Sequence, residues 1–469
     1  MRFLRSWLPA LCLFLLLAAL AARPTKAQTA PATNAPPTAA QPQPAPQAYT
    51  LPPAKLARAI ALNRIRNILD IAGSIWDVVF LWLLLATRSA AALETWAKRL
   101  FRRRWLQGLL FFTVFLVLIT LADLPLDLYG HHVSRAYTIS VQGWPSWFAD
   151  LGKSLGLTLV IGAPVLLLFN WIVRRFPRRY WLGAWLLTLP LMVLSVFAEP
   201  LIEPIFNHYE PLADHHPALV AELEKVVART GTNIPPNRMF LMDASAKSNG
   251  LNAYVTGMGT TKRIVVWDTT AGRIPDDEVM FIFGHESGHY VLNHIPKMLA
   301  GFAIALFFIY WACAGIAAWL ARRFGAPWGL LRQELGAPSF ASFAKGGKQD
   351  STGPQAANPL ASRTGFVILI FTVSLAGFVL APAANAFSRH FEHEADVYGQ
   401  EAIHGLVPDP QKTAVAGFQA LGEAWLEDPA PSPFIEFWLY NHPSVKKRAN
   451  FAAHYNPWAN GGHGEFFVK

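Results

Sequence analysis

Six long apolar runs constrain this chain more than any other feature of its sequence. They occupy roughly residues 68–85, 106–121, 155–173, 181–197, 298–320 and 366–386. Each approaches the ~20 residues that a helix needs to cross a bilayer. Inside a bilayer every backbone N–H and C=O must be paired within its own segment, so runs of this length specify helices. Tryptophans and tyrosines recur at the ends of the runs, where an interfacial belt holds them. Burial of all six in the core of a water-soluble protein is the competing reading, and composition opposes it. Hydrophobic residues make up 53% of the chain and charged ones 15%, against ~25% charged in soluble domains. The expected fold class is therefore mostly α, a polytopic membrane protein.

The net charge of +10 fits the same picture. A nucleic-acid binder clusters its charge on a soluble face. Here arginines stand in short blocks beside apolar runs, as in "KRLFRRRW", "RRFPRRY" and "ARRF". That is the pattern of membrane topology, and no nucleic-acid partner is expected. The two cysteines, Cys12 and Cys313, both lie in apolar stretches. They are too few for a thiolate zinc cluster.

The runs divide the chain. Residues 1–27 carry a basic start, an apolar stretch and a small-x-small site, and read as a secretory signal peptide or an uncleaved first membrane helix. Residues 28–65 form a Pro/Ala-rich linker, with no chemistry expected. Residues 66–200 hold four membrane helices. A mixed segment, 201–297, carries three strand-like stretches, "NRMFLMDAS", "LNAYVTGMG" and "KRIVVWDTT", rich in β-branched and aromatic residues. It closes on "IPDDEVMFIFGHESGHYVLNHI", a helix with Pro275 and acidic residues in its opening turn. A membrane helix over 298–321, a polar loop over 322–364, a membrane helix over 365–387 and a second mixed segment over 388–469 complete the order.

The chemistry concentrates in "GHESGHYVLNH". Residues four apart share a helical face, so His285 and His289 can aim their rings at one point about 2 Å from each nitrogen, as zinc requires. Glu286 cannot comfortably join them as a ligand but reaches water there, which makes it a general base. Two core histidines beside an incidental glutamate would leave a carboxylate buried and unpaired, at a cost of several kcal/mol. Gly284 and Gly288 would also be poor helix residues without a packing reason. A catalytic site needs a third protein ligand and an open position. The best source is "SRHFEHEADVYG", where Glu392 and Asp396 share a face: one can bind the metal while the other orients a histidine. Spacing alone leaves His390 and His393 as alternatives to Glu392.

These segments, with "SNGLNAYVTGMGTTKRIVVWDTT", "EPLIEPIFNHYEPL" and "NHPSVKKR", resemble the integral-membrane CAAX prenyl protease family of zinc metalloendopeptidases and its bacterial relatives. The resemblance covers most of the chain after the proline-rich linker. It implies a transmembrane bundle or chamber with a zincin-like α+β protease domain split by two membrane helices. It implies one Zn2+ per chain bound by His285, His289 and Glu392, with Glu286 as base, Asp396 behind the ligands and His442 stabilising the oxyanion. A donor aimed at that oxygen is worth a few kcal/mol, and Pro443 stiffens the backbone beside His442. Arg389 is expected beside the site, paired with a carboxylate. Asn252, Ala253 and Tyr254 match the family's substrate-binding strand, which holds an extended chain by main-chain hydrogen bonds.

The expected activity is hydrolysis of peptide bonds in membrane-associated proteins or peptides, within the lipid bilayer or at its surface. The signal-like start and composition point to a bacterial inner membrane. Prenylated substrates are not expected there, and processing or clearance of membrane proteins is the better fit. A non-catalytic zinc scaffold and a transporter are the alternatives; a transporter would show repeats or broken helices, and no repeat is visible. The arginine blocks place both catalytic segments on the non-cytoplasmic side, whereas the resemblance implies a cytosol-facing site and seven helices.

Overall fold

The fold rests on a computed structural model that describes residues 48–257, 259–330 and 358–467. The segment over 1–27, the start of the linker and most of the polar loop lie outside these residues. Six of the described helices are long and apolar enough to cross a membrane. They are α1 (Pro53–Ala86), α3 (Arg104–Ala136), α4 (Trp144–Arg175), α5 (Tyr180–Phe206), α8 (His294–Phe324) and α9 (Arg363–Ala402). A shorter helix, α2 (Ser89–Leu100), follows α1, and α4 carries one π-helical turn at Thr158–Gly162. The apolar windows of the six helices are at most 28% buried within the chain. Val160, Leu201, Ile304 and Phe308 each stand more than half exposed. Such surface is costly in water and ordinary against lipid tails.

The linker expected over 28–65 yields to helix at Pro53. Proline at the first helical position loses no hydrogen bond and presets φ. Tyr49, Ala59 and Leu62 are fully buried in the apolar core of the protease part. The membrane helices also outrun their apolar cores. The fifth begins at His294, only two residues after the preceding helix, because Asn293 takes a left-handed φ of 59° and turns the chain.

The mixed segment builds β1 (Tyr209–Pro211), α6 (Pro217–Thr230), β2 (Met239–Met242), β3 (Ala253–Thr256), β4 (Arg263–Trp267) and α7 (Asp276–Val291). Gly231, at φ 67°, closes α6. Asp276, Asp277 and Glu278 oppose the dipole at the start of α7. The sheet order is β1-β2-β4-β3, with β2 and β4 parallel and the other pairs antiparallel. β3, carrying "AYVT", is therefore an edge strand. After α9 come α10 (Pro410–Trp425), α11 (Pro433–Leu439) and α12 (Val445–His454).

Beside a small apolar cluster around Met242, Ala244 and Val265, two large ones result. One joins α6, β4, α7, α10 and α12; the other joins the arginine-rich ends of the membrane helices. At that second end Arg88 donates to Pro327 O, and Arg363 donates to Arg104 O. Ser140 and Gln142, at the opposite end of α3, meet the protease part around Lys247.

Candidate metal centre

α7 and α9 meet with little between them. A Cβ on Gly399 would lie 2.7 Å from the His285 backbone nitrogen, and one on Gly288 would lie 3.0 Å from Tyr398. A Cβ on Gly284 would come within 3.0 Å of the Gly399 carbonyl. The glycines in "GHESGH" thus have the packing role that helix propensity alone denies them. Their absent side chains bring His285 on α7 against Glu392 and Asp396 on α9.

Two ring nitrogens and a carboxylate converge there. His285 Nε2 is 3.3 Å from His289 Nε2 and 3.5 Å from Glu392 Oε2, and His289 Nε2 is 3.6 Å from Glu392 Oε1. Ligands about 2.0–2.2 Å from a tetrahedral ion are about 3.3–3.6 Å from one another. All three side chains share this site, two buried and one half-buried. Glu392 Oε2 is buried with no hydrogen-bond partner among the described residues, Arg448 approaching it only to 3.9 Å, which leaves the oxygen free to bind a cation. The donor set fits a zinc ion. His390, by contrast, is 66% exposed and faces Glu394, and the ring of His393 packs on Phe451.

The outer nitrogens of both histidines are held. His285 Nδ1 lies 2.9 Å from Asp396 Oδ1. Its ring is pushed up to about 9: burial works against the charged form, and Asp396 and Glu392 outweigh it. His289 Nδ1 lies 3.0 Å from His294 Nδ1, whose Nε2 lies 3.0 Å from Glu394 Oε2. Burial, then the charge of His285, pushes His289 down to about 3. Such contacts fix which nitrogen is free to bind a metal. Burial pushes Glu286 up to about 7, and the backbone of Val255 on β3 hydrogen-bonds its carboxylate. Tyr290 Oη donates to Gly257 O at 2.7 Å, tying α7 to the end of the edge strand.

His442 reaches the site from the loop before α12, its Nε2 3.2 Å from Glu392 Oε1, with about half of its side chain exposed. Arg389 departs from expectation. It donates to the carbonyls of Glu436 and Tyr440 and pairs with no carboxylate among the described residues; a helical turn before Glu392, it faces α11 and staples the loop that carries His442. Tyr254 stands on the edge strand, and its hydroxyl donates to Glu203 at 2.6 Å. Asn252 is exposed, and its N–H donates to Thr270 Oγ1. Ala253 starts the edge strand itself.

Two residues escaped the sequence reading. Arg448 grips Asp396 through both carboxylate oxygens, at 2.9 and 2.6 Å, and lies 3.4 Å from His285 Nδ1. Burial opposes its charge, but Asp396 holds its pKa above the ordinary arginine value. It ends "NHPSVKKR", where it is one of three adjacent basic residues and nothing marks it as the inward one. His294 is fully buried. It is the third histidine of "GHESGHYVLNH", and the left-handed turn at Asn293 is what folds it back onto His289.

Comparison with known proteins agrees with this geometry. Residues 214–456 match the model of peptidase family M48, and residues 38–208 match the CAAX prenyl protease N-terminal region, described as five membrane helices. The Bacillus subtilis metalloprotease YhfN is 32% identical over 85% of this chain and 86% of its own length. CAAX prenyl protease 1 of Saccharomyces cerevisiae is 34% identical over 44% of this chain and 45% of its own length. The crystal structure of Saccharomyces mikatae Ste24p shares the fold, with a TM-score of 0.67 at 23% identity over 85% of this chain and 90% of that one. The chain belongs to peptidase family M48 and is a multi-pass membrane metalloprotease of the CAAX prenyl protease type.

Proposed function

We propose that the protein is a zinc metalloendopeptidase that cuts membrane-associated polypeptides, with His285, His289 and Glu392 holding one Zn2+. The carrying observation is the spacing of the two ring nitrogens from each other, 3.3 Å, and from the Glu392 carboxylate, 3.5 and 3.6 Å to its two oxygens. Zinc in such a site supplies Lewis acidity, which activates water and polarises a carbonyl. The rest falls to the chain's own residues. Glu286, one helical step from the ligands, takes a proton from water and returns it to the leaving amine. His442 donates from Nε2 to the oxygen on which negative charge develops. Asp396, gripped by Arg448, holds the His285 ring. The edge strand that begins at Ala253 binds the substrate main chain as an added strand.

The protease domain in this reading is split: residues 201–297 and 388–469 assemble across the two membrane helices. The protein sits in a bacterial inner membrane, where its task is processing or clearance of membrane proteins. The arginine-rich loops face the cytoplasm, and the site opens to the other side. Glu286→Gln tests the assignment. The variant keeps its zinc and loses cleavage of an unstructured reporter peptide by about 10²–10⁴-fold. Zinc-dependent cleavage persisting in that variant refutes the base, and a fourth protein ligand on the metal would favour a structural zinc site.

A further inference from the structure

A cavity of about 960 Å3 lies between α1, α3 and the start of α4, and carboxylates dominate its charge. Asp70 and Asp77 come from α1, Asp123 and Asp127 from α3, and Asp150 from α4. Asp150 is satisfied by Lys247 and Lys153, and Asp70 lies within the field of Arg66. Among the described residues no cation forms an ion pair with the other three, and the nearest basic groups act elsewhere, Arg66 on Asp70 and Arg135 on His131. Asp77 and Asp123 hydrogen-bond each other, so one of the two carries a proton; Asp127 adds its field to both, and burial desolvates all three. Ionisable groups within membrane helices are costly and call for a partner.

His131 is the independent sign of a ligand. It continues the four-residue spacing of Asp123 and Asp127 on α3, lines the same cavity and is 8% exposed. Its ring meets the Gln142 main chain, while Nε2 has no partner among the described residues. A buried acceptor left unpaired costs about 1–3 kcal/mol. A cation beside the Asp77–Asp123 pair displaces the shared proton to water; the carboxylates and the ring nitrogen then all accept, so the partner that fits is a donor with positive charge.

The space leads toward the metal centre. A second cavity, of about 610 Å3, shares Ser74, Asp77 and Asp123 with the first and runs along α9 to Asn385 and Trp438. Asn385 precedes Glu392 by seven residues, two turns on the same face, or about 10 Å. An extended chain covers that distance in about three residues.

We propose that this aspartate wall is a subsite for a basic side chain of the substrate, a Lys or Arg at least about three residues from the scissile bond. The inference rests on the peptidase reading and deepens it, selecting cationic polypeptides among membrane-associated substrates. A charge-assisted hydrogen bond of this kind gives roughly tenfold discrimination or more.

Two peptides that differ only by Lys against Gln three to five residues from the bond provide the test, with kcat/KM as readout. Wild type prefers the Lys peptide by about tenfold, and the preference shrinks as salt screens the charges. D77N/D123N brings the ratio near one, and D77E/D123E restores it. A wild-type ratio of one, or a ratio unaffected by D77N/D123N, overturns the proposal. Anisotropy with fluorescent versions of both peptides bound to E286Q separates the subsite from catalysis. Tighter binding of the Lys peptide there, without cleavage of either peptide by wild type, upholds the subsite and sinks the peptidase reading. Equal binding of both peptides removes the subsite.

Discussion

Gly399→Ala tests the helix contact on which the metal centre depends. The added Cβ would sit 2.7 Å from His285 N, 3.0 Å from its Cα and 3.1 Å from its Cβ. Carbon contacts settle near 3.5 Å or beyond, so the 3.0 Å approach to Cα requires α7 and α9 to separate by roughly 0.5 Å. Alanine favours the helix by about 1 kcal/mol over glycine, and overpacking costs about 1–3 kcal/mol. Net stability therefore falls by no more than about 2 kcal/mol. Function is less forgiving, because His285 stands on one side of the gap and Glu392 on the other. A misplacement near 1 Å costs about a hundredfold in rate, and disturbed ligand support costs about 10–100-fold in metal affinity. The assay is zinc competition against a chelator in detergent, beside thermal unfolding and peptide cleavage. Gly315→Ala, whose Cβ meets nothing within 4 Å, is the control. Wild-type zinc affinity and cleavage in Gly399→Ala would refute the close-contact argument, and so would equal losses in both variants.

Arg448→Ala strands the Asp396 carboxylate, which is 3% exposed; unfolding should show a loss of about 3–5 kcal/mol, and a wild-type melting curve would disprove the role. His294→Ala removes the partner of His289 Nδ1 and should weaken zinc binding about 10–100-fold, whereas His390→Ala, at an exposed ring, leaves it unchanged; chelator titration separates them. Chelation of the wild-type protein should abolish cleavage, with recovery on adding zinc; cleavage in excess chelator would exclude a metal-dependent mechanism.

The edge position of β3 shows how far a sequence reading goes. "NAYVTG" announced a strand, and its β-branched and aromatic residues are local facts. That no described strand pairs with its outer side depends on the order β1-β2-β4-β3, which no local propensity records. Tyr254 makes the same point: no local pattern shows that Glu203, fifty-one residues away, takes its hydroxyl.

What the sequence determined by itself was whatever repeats along one helix or runs unbroken across one bilayer. Six membrane spans follow from apolar length, and the pairing of His285 with His289 follows from 3.6 residues per turn. The choice of Glu392 over His390 and His393, the inward turn of Arg448 and the relay through His294 were decided only by tertiary structure. Each depends on two helices approaching at glycines, or on one backbone residue entering the left-handed region. Their energies arise between groups far apart in the chain, and periodicity carries no record of such contacts.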